Sequence, residues 1–121
     1  MDESTSLPEL MVRSAIPESF GHFETNQRDL PGTPDIVFRD KQIAIFVHGC
    51  YWHRHQDCPL ANFPSHDIQK WLKTFNTTVR RDTEAIQSLR AAGWRYLIFW
   101  ECEINSDLRH LIELLEQTLN S

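Results

Sequence analysis

The chain has 121 residues and a mass of 14.2 kDa, of which 40% are hydrophobic and 24% charged. That is the size and composition of one globular domain, expected to span residues 1–121, and its longest apolar runs, Ile43 to Val47 and Tyr96 to Trp100, are far too short to cross a membrane. The formal charge of −5 speaks against nucleic acid as a partner, but its distribution does not: residues 1–38 carry −5, residues 39–95 carry +4 and residues 96–121 carry −4.

The start, Met1 to Ser6, is acidic and polar where a secretory signal is basic and then apolar, so a cytoplasmic protein is expected and its three cysteines are read as thiols or metal ligands. Ser6-Leu7-Pro8-Glu9 has a capping residue, a proline in the first turn and an acid favoured by the helix dipole, which predicts a short first helix. Phe20 to Thr25 reads as an irregular strand, Leu30 to Pro34 as a turn, and Asp35 to Phe38 as a second strand. Asp40-Lys41 turns the chain into Gln42 to Val47, apolar enough to be a strand buried on both faces, and the two strands make a hairpin.

Residues 48–66 hold four histidines, two cysteines and two prolines without helical or strand period, which predicts a loop held by something other than its own backbone. From Asp67 to Ala92 the pattern is helical, with Trp71, Phe75, Val79, Ile86 and Leu89 on one stripe and a possible break near Asn76. Position 82 completes that stripe with Asp82, a carboxylate that is costly on a buried face unless paired. Gly93 ends the helix, Trp94 to Trp100 is the next strand, and Ser106 caps a last helix bearing Leu108, Leu111, Ile112, Leu115 and Leu119. The expected order is one helix, three strands, a helix, a strand and a helix.

Three constellations carry chemistry. Cys50, His55 and Cys58, with Cys102 just past the last strand, supply the four soft or borderline ligands of a closed, structural tetrahedral zinc site. Glu9, Asp35, His48, His53 and Asp82 combine hard oxygen ligands suited to magnesium with imidazoles able to deprotonate water; taken singly, each also has an ordinary role as cap, dipole partner or core histidine. Tyr51, Trp52 and Trp71, among Arg54, Lys70 and Lys73, have the character of wedges that unstack a base step, although Trp71 suits a helical core equally well.

Asp29 to Phe38 (DLPGTPDIVF), Phe46 to Cys58 (FVHGCYWHRHQDC), Arg81-Asp82, Gly93-Trp94-Arg95 and Trp100-Glu101-Cys102 together resemble the very short patch repair (Vsr) endonuclease family, in order and over nearly the whole chain. The resemblance implies an α/β fold of the restriction-endonuclease (PD-(D/E)xK) type, a mixed central sheet flanked by helices and carrying a zinc loop. It implies nicking of one strand of double-stranded DNA beside the thymine of a T·G mismatch, within mismatch repair. Carried over, Asp35, the Val47 main-chain carbonyl and Glu9 hold magnesium, His53 is the general base, and His48, hydrogen-bonded to Asp82, orients the phosphate. Cys50, His55, Cys58 and Cys102 hold structural zinc, and Tyr51, Trp52 and Trp71, with Arg54, Lys70 and Lys73, face DNA.

The family pattern also implies a monomer on the bacterial nucleoid, with the mismatch-repair protein MutL as a candidate partner. Val47 stands where a threonine is familiar, Thr78 where an asparagine is usual, and the segment before Glu9 is short and acidic where the family has a longer basic arm. The competing expectations are a nuclease of the same scaffold with another DNA target, and a zinc-stabilised DNA-binding module that does not cut.

Overall fold

A computed structural model describes residues 6–121; of the N-terminal arm, residues 1–5 lie outside the described part. Helix α1 covers Leu7–Ala15, and the Ser6 hydroxyl accepts the Glu9 N–H at 3.3 Å, the cap that the Ser-Leu-Pro-Glu run predicts. The expected first strand is reduced to β1, Glu24–Thr25, because Glu18–Phe20 form a 3-10 turn and Gly21 follows with φ +98°. Strand β2 is Ile36–Phe38 and β3 is Ile43–His48, paired antiparallel with Ile36 opposite Ile45; a 3-10 turn at Arg39–Lys41 and a left-handed Gln42 (φ +55°) reverse the chain between them.

Helix α2, Ile68–Ala91, runs unbroken through Asn76 and returns the chain to β4, Arg95–Trp100, which lies parallel to β3 with Val47 beside Phe99 and His48 beside Trp100. The four strands lie in the order β1-β2-β3-β4. Helix α3, Glu101–Leu119, starts six residues earlier than expected and is kinked at Asp107, whose φ of −157° is not helical. The second segment is capped there: the Asp107 carboxylate accepts the His110 N–H at 3.3 Å, so the capping residue is Asp107 and not Ser106.

The side chains of β3 alternate between two layers, as its buried apolar run requires. Ile43 and Ile45 join Val12 and Ile16 from α1 and Ile104, Leu111, Leu115 and Leu119 from α3, whereas Ala44 and Phe46 face Leu89 and Ile86 of α2. Val79 departs from the expected stripe and is 41% exposed, at the edge of the α2 face that Phe75, Asp82 and Leu89 define. This sandwich brings three chain segments to one end of the sheet: the residue before β2, the end of β3, and the start of α3.

Candidate active site

Asp35 precedes β2 but is held in the ladder by its main chain, its N–H donating to the Ile45 carbonyl at 3.0 Å and its own carbonyl accepting from Asn26 at 3.1 Å. Its side chain therefore projects beside Val47, whose N–H donates to Asp35 Oδ2 at 2.6 Å. Burial pushes this carboxyl up to about 7; the Val47 N–H opposes the rise and the adjacent Glu9 adds to it. Glu9 is 3% exposed and forms an ion pair with Arg13 one turn further along α1. Two carboxyl groups thus share a poorly hydrated place, where a positive charge beside them would relieve their repulsion.

His48 and His53 stack face to face, their ring centres 3.9 Å apart and 4° from parallel. His53 Nδ1 lies 2.6 Å from Asp82 Oδ2, so the hydrogen bond to Asp82 belongs to His53, where the family resemblance implies His48. The reason is depth. His48 ends β3 and is 6% exposed under its neighbour, whereas His53, one turn into the loop with its N–H on the Gly49 carbonyl, lies between His48 and α2. Burial first, then the facing His53, holds His48 down to about 4, so it is neutral near pH 7, and its Nδ1 has no hydrogen-bond partner among the described residues. A carboxylate on Nδ1 fixes the His53 ring and leaves Nε2 free to take a proton.

Two clefts meet at Asp35, Val47 and His53. One, of about 230 Å³, runs toward Gly32, Phe46 and Ala85; the other, of about 510 Å³, runs toward Glu9, Trp52 and Glu101. Gly32 is required on the first wall: its φ is +78° and a Cβ there would stand 2.8 Å from the Ala85 methyl. Together the clefts form a groove across the end of the sheet, with the acidic and imidazole groups on its floor.

Behind this floor, Cys50, His55, Cys58 and Cys102 bring their ligand atoms within 4.8 Å of one another. His55 Nδ1 lies 3.6 Å from Cys50 Sγ and 3.4 Å from Cys102 Sγ, close to the separation of about 3.6 Å that tetrahedral zinc–sulfur and zinc–nitrogen bonds dictate. The Cys102 N–H donates to Cys50 Sγ at 3.4 Å, and His55 lies flat on Trp100 with ring centres 4.1 Å apart. Burial pushes the Cys50 thiol up to about 12, so a thiolate there needs a cation beside it. The donor set, its spacing and its lack of a carboxylate fit one closed metal site that joins the loop to the start of α3.

The aromatic residues form a cluster of their own under the loop. Tyr51, Trp52 and Trp71 surround Phe75, with ring centres 5.0 to 6.4 Å apart, and Trp52 is 51% exposed at the groove. Arg54, expected against DNA, is turned inward: its guanidinium lies 4.0 Å from the Phe75 ring centre and donates to the carbonyls of Tyr51, Ala61 and Asn62. These contacts staple the loop. Lys70 and Lys73 are exposed on α2.

Two groove residues escaped the sequence reading. Glu101 accepts the Cys50 N–H at 3.3 Å and lines the larger cleft; its signal was an acid placed directly before a candidate ligand, Cys102. Arg13 holds Glu9, and its signal was the Glu-to-Arg spacing of four on a helix.

A family model described as DNA mismatch endonuclease Vsr matches residues 2–60. The chain is 38% identical over 113 residues to the Type II nicking enzyme V.XorIIP of Xanthomonas oryzae pv. oryzae, covering 93% of this chain and 82% of that protein. It is 37% identical over 97 residues to the DNA mismatch endonuclease Vsr of Escherichia coli, covering 80% of this chain and 62% of that one, and 36% identical over 88 residues to the Type II nicking enzyme V.NaeI of Lentzea aerocolonigenes, covering 72% and 49%. Less than two thirds of the last two proteins is therefore spanned.

Proposed function

The chain belongs to the Vsr DNA mismatch endonuclease family, whose fold is restriction-endonuclease-like, and from that premise we propose that it nicks one strand of duplex DNA beside the thymine of a T·G mismatch. The observation that carries this reading is the meeting, on one groove floor, of the Asp35–Val47 pair with the Asp82–His53 pair.

Magnesium is the cation that the Asp35 carboxylate, the Val47 carbonyl and Glu9 would hold, and when bound it supplies charge neutralisation for the phosphodiester under attack. His53 Nε2 takes the proton of the attacking water while Asp82 stabilises the imidazolium that results. His48, kept neutral, offers a hydrogen bond to the phosphate or to a water on it. Arg13 keeps Glu9 facing Asp35 against its ionic repulsion.

Zinc is the metal that Cys50, His55, Cys58 and Cys102 would hold, and it supplies fold, not chemistry. Bound there, it would fix the loop from which His53 reaches Asp82. Trp52, supported by Tyr51 and Trp71, enters the base stack beside the mismatch, and Lys70 and Lys73 contact phosphates. The protein acts as a monomer in the bacterial cytoplasm, on the nucleoid, and MutL is the partner that the repair role suggests. No described helix is long and apolar enough to cross a membrane.

The test of specificity is a magnesium-supported nicking assay over all twelve single mismatches and several flanking sequences. The reading expects one nick, 5′ or 3′ to thymine, in T·G duplexes only. Equal nicking of another lesion, or of fully paired DNA at one site, would transfer the activity to a different target on the same scaffold.

A further inference from the structure

Four of the twelve Lys and Arg side chains are engaged internally among the described residues. Arg13 pairs with Glu9, Arg39 pairs with Glu24 and Asp29, Arg54 is enclosed by its loop, and Arg95 donates to the Thr118 carbonyl and the Ser121 hydroxyl. The first half of α2 is different. From Ile68 to Arg81 it holds four cations, Lys70, Lys73, Arg80 and Arg81, and no acid. All four are exposed, and none makes an ion pair among the described residues.

At 100° per residue the four fall within an arc of about 100° on the helix surface, with Arg81 at the edge nearer Asp82. Glu84, one turn beyond Arg80, is the first acid on that face and ends it. A shallow groove of about 560 Å³ lies along it, lined by Gln69, Leu72, Lys73, Asn76, Thr77 and Arg80, again without an acid. A protein with a net charge of −5 has no reason of solubility to keep an unpaired cationic face of this length.

We propose that this face is a phosphate-binding ledge, which holds the backbone of the duplex beyond the groove and acts independently of the aromatic wedge and of the catalytic metal. It rests on the reading of the chain as a DNA endonuclease and adds to it where affinity resides. The four cations are spread over three turns, as an extended polyanion requires, and their long stems let each reach a phosphate without fixing a base. Binding there is electrostatic and blind to sequence, so it delivers the duplex to a groove whose own floor is acidic.

The ledge is tested by measuring duplex affinity in magnesium-free buffer as a function of salt for wild type, Lys73→Gln/Arg80→Gln and, as a control, Arg109→Ala on α3. Each phosphate contact contributes about 0.9 to the slope of log affinity against log salt, so the double variant is expected to lose about 2 from the slope. Between about 50 and 200 mM salt its affinity should accordingly fall about tenfold less than that of wild type. The loss should be the same on T·G and fully paired duplexes, each single variant should show half of it, and Arg109→Ala should show none.

A slope equal to that of wild type, or a loss confined to the T·G duplex, overturns the ledge. A wild type that nicks while the slope is unmoved removes the ledge alone; a wild type that does not nick, with the slope reduced as expected, removes the nicking reading alone.

Discussion

Asp35 and Asp82 are both carboxylates at the edge of a core, and their surroundings give them different tasks. Asp35, with Glu9 behind it, is raised by burial from 3.8 to about 7. An acid raised on folding stabilises the folded state below its unfolded pKa, and that contribution is lost as pH climbs through about 7. In magnesium-free buffer the protein should therefore become less stable between pH 4 and pH 8. Asp35→Asn, which cannot ionise, should melt with wild type at pH 4 and above it at pH 8, by on the order of 1–3 kcal/mol after allowance for residual solvent screening at the groove. Thermal melts across that range check this, and added magnesium should close the gap by stabilising wild type alone. Asp82 acts through His53. Asp82→Asn offers a donor or the wrong tautomer to Nδ1 and should slow single-turnover nicking about 10²- to 10⁴-fold with unchanged melting temperature, while a fall below tenfold would assign the base elsewhere. The sequence revealed both acids, Asp82 because a charge interrupts an apolar helical stripe. It did not reveal which histidine meets Asp82, because His48 and His53 belong to one loop entry and only depth in the fold separates them.

The loop between β3 and α2 is the element that most depends on tertiary context. Its residues 48–66 have no period, and the sequence pointed to a support other than the loop's own backbone, the cysteine and histidine cluster. It could not point to the second support, Arg54 against Phe75, because a cation beside aromatics in sequence reads equally as a DNA contact. Arg54→Lys keeps the charge but not the three carbonyl bonds or the flat contact, and should cost about 1–3 kcal/mol of stability with no specific loss of duplex affinity. A loss of affinity at constant melting temperature would return Arg54 to the DNA surface. Metal analysis should find one zinc per chain, and chelation should open the loop to protease while the pairing of β2, β3 and β4 persists. Well-folded protein with substoichiometric zinc contradicts that assignment. The helices show a similar division. α1 and α2 were legible from caps and stripes, but α3 was not legible at its start, because Trp100-Glu-Cys continues a strand pattern and turns helical only through its packing beside the cluster.

Across the chain as a whole, the order of elements was legible from the alternation of strand and helix patterns, and a mixed sheet flanked by helices from the family resemblance, while β1 shrank because Gly21 interrupts it. The sheet exists to present one end. Parallel pairing of β3 with β4 places His48 beside Trp100 and delivers Cys102 to Cys50, and antiparallel pairing of β2 with β3 places Asp35 beside Val47. The charge follows the same division, with acids on the α1 and α3 side and unpaired cations on α2. Cleavage of DNA by these groups is the claim on which the rest depends. It is tested most directly by single-turnover nicking of a duplex with one T·G mismatch, with and without magnesium, by wild type, Asp35→Ala and His53→Ala. The expected result is a single nick by wild type that needs magnesium and is lost in both variants while zinc is retained. Binding without cleavage by wild type at every magnesium concentration, or undiminished nicking by His53→Ala, would contradict it.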